Sequence, residues 1–137
     1  MADPFVDTDV LIRLLTQDDP HKQAQAAAFF KRVEAGEIQV MTPVTTIADA
    51  VYVLSSPRLY RVPRSEVAAL LSTLVRLRGF KIRNRQTVLR ALDLFGTTNL
   101  DFGDALIVAA MKQVGAQVVY SYDRDFDRVQ GIVREEP

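Results

Sequence analysis

The chain contains no cysteine among its 137 residues. Disulfides, thiolate zinc sites and a cysteine nucleophile are therefore excluded. It also lacks an excess of either charge: seventeen basic residues balance seventeen acidic ones. A neutral total gives no global attraction to nucleic acid, so any such binding must come from local segregation of charge. No uncharged apolar run approaches the roughly 18 residues of a membrane span. The N-terminus has neither a basic start nor an apolar signal core, so a soluble cytoplasmic protein without membrane contact is expected. The lone histidine, His21, follows Pro20 and lies far from the acidic motifs described below. It reads as a solvated residue at a helix start rather than a general base. Internal repeats, low-complexity stretches and linkers are missing too.

What is present is ordinary globular material, 48% hydrophobic and 25% charged. Residues 1–137 read as one domain, long enough to bury roughly 68–70% of the extended surface. Phe5 and Val6 form a short apolar strand ending at Asp7. Val10, Leu11, Leu14 and Leu15 then recur at helical spacing. Asp19 and Pro20 are an N-cap and first-position pair, opening a helix that continues from Ala24 to Val33 toward a capping Gly36. Ile38 to Met41 is a strand, and Thr42 and Pro43 look like a second cap pair. Ile47, Ala50, Val51 and Leu54 mark an apolar helix face. After a loop from Ser55 to Pro63, a helix begins near Ser65. Phe80 to Ile82 is a brief strand, and Asn84 caps a helix that Gly96 ends. Asn99, Leu100 and Asp101 open the most apolar helix, Phe102 to Val114, ended by Gly115. Val118 to Tyr120 is a strand expected to be buried, and Gly131 to Val133 a last short one. Strands alternating with helices predict an α/β fold with a central parallel sheet covered on both faces.

In such a sheet, ligands bind beyond the carboxyl ends of the strands. Asp7 and Asp123 each directly follow an apolar strand. Asp49 and Asp104 instead lie inside predominantly apolar helices, where a charge is costly unless paired or metal-bound. No Lys or Arg lies within one helical turn of Asp49, so local ion pairing does not account for it. Four converging carboxylates repel and raise one another's pKa, and a divalent cation relieves that repulsion. All-carboxylate sites suit hard ions, favouring Mg2+ or Mn2+ over zinc. Such an ion lowers the pKa of bound water and neutralises a phosphate, the chemistry of phosphodiester hydrolysis.

At these residues the chain resembles the PIN-domain ribonucleases, specifically the VapC-type toxins of toxin–antitoxin pairs. Phe5-Val6-Asp7-Thr8-Asp9 resembles the first family motif, with Asp7 a metal ligand, Thr8 beside it, and Asp9 where Asn is more usual. Ile47-Ala48-Asp49-Ala50 resembles the second, with Asp49 in place of the more usual Glu and about one methylene short. Leu100-Asp101-Phe102-Gly103-Asp104 resembles the third, with Asp104 the acid and Asp101 supporting it. Tyr120-Ser121-Tyr122-Asp123-Arg124-Asp125 resembles the fourth: Ser121 takes the hydroxyl place, Asp123 the acidic one, and Asp125 supports it. The likeness runs from about Phe5 to Arg134. It implies a three-layer α/β/α fold, Mg2+- or Mn2+-dependent endoribonuclease activity on tRNA, ribosomal RNA or messenger RNA, a homodimer, and a cognate antitoxin protein.

Two basic stretches are candidate RNA contacts. Arg58, Arg61 and Arg64 follow the Asp49 helix with Tyr60 interleaved, a residue able to stack on an unpaired base. Arg76, Arg78, Lys81, Arg83, Arg85 and Arg90 form a second run, which reads first as solvated surface or as antitoxin or dimer contacts. Arg124 has two uses open to it, a phosphate or the neighbouring Asp125 and Asp127. Two other functions compete. The Asp7-Thr8-Asp9 start also resembles haloacid-dehalogenase-like phosphatases, with Asp7 as nucleophile and Asp9 as acid–base partner. That family's second late acid is missing, since Val108 stands there. A PIN domain serving only as a non-catalytic binding module is the other, and the retention of all four acids opposes it.

Overall fold

The computed structural model describes residues 2–137. Six α-helices alternate with four short strands: α1 Thr8–Leu15, α2 Pro20–Glu34, β1 Val40–Met41, α3 Val44–Ser55, α4 Arg64–Val75, β2 Phe80–Lys81, α5 Arg85–Thr97, α6 Phe102–Val114, β3 Val118–Tyr120 and β4 Val133–Glu135. A 3-10 turn, Arg124–Arg128, lies between the last two strands. Every strand pair is parallel. Phe5 bridges Met41, Val40 and Met41 pair with Phe80 and Lys81, and Val118 to Tyr120 pair with Val133 to Glu135. Parallel pairing is what strand–helix–strand connections produce.

The helices pack in a continuous series, α2 on α1, α1 on α3, α3 on α4, α4 on α5 and α5 on α6. Their apolar faces enclose one core with Leu11, Val33, Ile47, Leu54, Leu71 and Leu92 fully shielded. The α4–α5 contact depends on Gly96, where a Cβ would come within 2.8 Å of the Ala68 methyl. Gly96 was expected to end α5; instead the helix continues to Thr97, and the glycine serves close approach.

Several local expectations hold. Asp19 caps α2 by accepting from the Lys22 N–H, and Pro20 is its first residue. Gly115 ends α6 in the left-handed region (φ 75°) with its N–H on the Met111 carbonyl, as the αL cap requires. His21 is exposed on the first turn of α2.

Others need correction. Thr42 does not cap α3: its hydroxyl donates to the Val6 carbonyl and ties the first strand to the loop after β1, leaving Pro43 at the helix start. Asn84 occupies the cap position of α5 without a side-chain cap bond, because its backbone is left-handed (φ 56°). The Val118–Tyr120 strand is not buried. Val118 is 45% exposed and Tyr120 68%, since β3 pairs only with β4 among the described residues. The first strand is open on its far side as well, with Phe5 67% exposed. The last strand begins at Val133, two residues after the expected Gly131.

Candidate active site

The strand-end and helix-start positions hold the acids through backbone geometry. Asp7 is the N-cap of α1, its Oδ1 accepting from the Thr8 N–H at 2.7 Å. Asp101 caps α6 by accepting from the Asp104 N–H at 2.8 Å. Asp123 caps the 3-10 turn by accepting from the Asp125 N–H at 2.9 Å, while its own N–H donates to Ser121 Oγ at 2.9 Å. A carboxylate at a helix start is favoured by the unpaired N–H groups and the helix dipole. These bonds leave the remaining oxygens of each carboxylate open.

The four aspartates fall into two groups. Asp7 and Asp49, with Thr8 and Asp9, line a cavity of about 590 Å3 between α1 and α3. Asp104 stands in the second group, with Asp101, Asp123 and Asp125. Burial, then the charges of Asp101 and Asp123, push its carboxyl up to about 6. Hydrogen bonding toward Asp123 and the Asp125 charge push weakly in the same direction. The helices carrying Asp49 and Asp104 touch one another. Even so, no three acidic or histidine side chains among the described residues are grouped closely enough to hold a metal ion. The four acids expected in a single pocket are instead divided between two regions.

Asp49 is exposed rather than sunk among apolar neighbours. Ile47, Ala50, Val51 and Leu54 turn inward on α3, and Asp49 faces the cavity. Apolar neighbours along a helix are not neighbours in space, so the expected burial cost does not arise there. It does arise at Asp104, which is half-buried. The five ion pairs among the described residues use Asp3, Asp18, Glu37, Asp127 and Glu136, and none neutralises Asp7, Asp49, Asp104 or Asp123.

A divalent cation fits this donor set by chemistry. The acids are hard oxygen donors without basic partners, and the crowding at Asp104 is what a cation relieves.

A profile of the PIN domain matches residues 5–132. The chain belongs to the PIN domain family. The PIN fold is a three-layer α/β/α arrangement, in accord with the parallel strands and flanking helices. PIN domains are generally nucleases acting on RNA, commonly with divalent metals such as Mg2+. No curated protein matches the chain.

Within this PIN domain two arginines that sequence reasoning missed or misassigned position the acids. Arg64, expected to contact RNA, is occupied internally. Its Nε donates to the Phe95 and Thr98 carbonyls, its Nη2 donates to the Leu100 carbonyl, and the guanidinium stacks 3.8 Å over the Phe95 ring. Burial lowers its pKa, and the Asp101 charge acts the other way. Arg64 therefore fixes the segment leading into Asp101 rather than a phosphate. Arg134, in a terminal strand that carried no motif, donates to the Ser121 carbonyl and pairs with Asp127 and Glu136. Those partners raise its pKa. It clamps the turn that holds Asp123.

The other candidates divide. Tyr60 donates to Asp18 at 2.6 Å, a bond that lowers the carboxyl and raises the phenol; its ring lines the Asp7–Asp49 cavity. Arg58, Arg61 and Arg124 are exposed, although Arg61 Nε donates to the Pro57 carbonyl. The second basic run does not form one uniform surface. Lys81 pairs with Asp3, Arg85 bonds the Phe80 carbonyl, and Arg76 and Arg90 line a polar groove between α4 and α5.

Proposed function

We propose that this PIN domain is a metal-dependent endoribonuclease, the toxin of a toxin–antitoxin pair, with Asp7, Asp49, Asp104 and Asp123 holding Mg2+ or Mn2+. The observation that carries this reading is that the acids on both sides of the α3–α6 contact have no basic partner; on the α6 side, burial and then the charges of Asp101 and Asp123 push the Asp104 carboxyl to about 6. When bound, the ion would polarise water and offset charge on a phosphate.

The chain's own residues prepare that chemistry. Thr8 and the first turn of α1 orient Asp7, and Ser121 orients Asp123. Arg64 and Arg134 hold the two segments that carry Asp101 and Asp123. Without a cation, Asp104 keeps its proton only below about pH 6. Cation binding would displace that proton, so activity should rise with pH through about 6. Arg58, Arg61 and Arg124 remain available for phosphate. A homodimer and an antitoxin that blocks the site belong to the same reading, as does a cytoplasmic setting.

Incubating the purified chain with RNA tests it. Cleavage is expected with Mg2+ or Mn2+ and should stop with EDTA. Induced expression should arrest growth of a bacterial host, and Asp7→Asn should relieve the arrest. Metal-independent cleavage would overturn the proposed role of the acids. Hydrolysis of a small phosphate monoester, with RNA left intact, would favour the phosphatase reading.

A further inference from the structure

Tyr52 has no structural employment in this fold. It projects from α3 with 70% of its surface exposed, while its helix neighbours Val51 and Leu54 are buried. Its ring takes part in neither of the aromatic pairs among the described residues, and its hydroxyl makes no hydrogen bond there. It stands three residues after Asp49, which places the two side chains on one helix face about 5–6 Å apart at Cβ. Both line the cavity that also holds Asp7.

That cavity is two-sided in chemistry. Asp7, Asp9 and Asp49 supply carboxylates, whereas Tyr52, Val53 and Leu59 supply flat or apolar surface. Tyr60 forms a fixed part of its wall, because Asp18 holds its hydroxyl and is itself held by Arg13 at 3.1 Å and the Thr16 hydroxyl. A nucleotide has the matching division, a charged phosphate joined to a planar base whose face stacks on aromatic rings. The adjoining loop carries Arg58 and Arg61, both exposed, which attract phosphate and repel an arginine-bearing protein segment.

Resting on the nuclease reading above, we propose that the Tyr52 ring is a positioning platform: an unpaired base next to the bound phosphate stacks on it. A base inside a duplex presents no free face, so Tyr52 selects unpaired stretches without reading their sequence.

The test uses the whole protein with Mg2+ and a single-stranded 2′-O-methyl oligonucleotide, checked to be intact after each titration, carrying 2-aminopurine as a stacking reporter. Tyr52→Ala is expected to weaken binding about 5- to 150-fold and to abolish the 2-aminopurine quenching. Tyr52→Phe should keep both, because the ring and not the hydroxyl is used. With cleavable RNA, the alanine variant should raise KM far more than it lowers kcat. Unchanged affinity and quenching in Tyr52→Ala would overturn the proposal, as would an equal loss in Tyr52→Phe. Retained RNA binding with a halved native mass would assign the ring to a protein interface instead. If the wild-type chain neither binds nor cuts RNA, the nuclease reading itself fails, an outcome distinct from a wild type that binds while Tyr52→Ala binds equally well.

Discussion

The two acidic regions use the same side chain under different conditions. In the α1–α3 cavity, Asp7, Asp9 and Asp49 are exposed and share their walls with tyrosines and an arginine. At the start of α6, Asp104 is half-buried and crowded by Asp101, Asp123 and Asp125, which together with burial hold its carboxyl at about 6. The first region has room for a substrate; the second has charge stored against repulsion. Under the proposed joint site, the divided labour is that the open side adds room for RNA while the crowded side adds the repulsion that a shared cation would relieve.

The largest expected effect tests whether the regions act together. Asp7→Asn and Asp104→Asn should each reduce RNA cleavage on the order of 100-fold or more, although they lie in different regions. Full activity in either variant would make that region structural and break the division.

Next in size is Arg64→Ala, which strips three carbonyls of their donor and removes the guanidinium from the Phe95 ring. A loss of roughly 2–4 kcal/mol in denaturant unfolding is expected. Arg64→Lys should recover little, since an ammonium cannot reproduce the planar fork. A stability loss within a few tenths of a kcal/mol would contradict the clamp.

A smaller effect separates the regions by pH. Because the folded-state pKa of Asp104 is raised above its ordinary 3.8, folding favours the protonated form. Its contribution to stability is fully present below about 3.8 and is lost as pH rises through about 6. Thermal melts of the metal-free protein should therefore fall across that window, and Asp104→Asn should flatten the fall. An unchanged slope in Asp104→Asn would place the titration elsewhere.

The smallest expected effect is that of Asp49→Glu. The cavity has space for one more methylene, so activity should be kept or raised. Loss of cleavage would show that Asp49 does not hold the second acidic position.

Much of this was legible in the sequence because it depends on local backbone chemistry. Asp19, Asp101 and Gly115 announce helix ends by residue type, and Asp7 and Asp123 sit where a strand hands over to a helical turn. The two positioning arginines were not legible. Arg64 was grouped with Arg58 and Arg61 by charge, yet its partners are carbonyls more than thirty residues onward. Arg134 likewise acts across the β3–β4 pair. Asp49 misled for a related reason, since a helix separates residues adjacent in sequence onto opposite faces. The exposure of β3 depends on which edges find partners, and its apolar composition carries no record of that.

Calorimetric titration of Mn2+ into the metal-free protein, compared with Asp7→Asn and Asp123→Asn, tests the central claim most directly. One acid is removed from each region. If the two regions hold one cation jointly, both variants should bind about 10- to 100-fold more weakly. If one variant binds as the wild type does while the other fails, the cation belongs to a single region and the joint site is wrong.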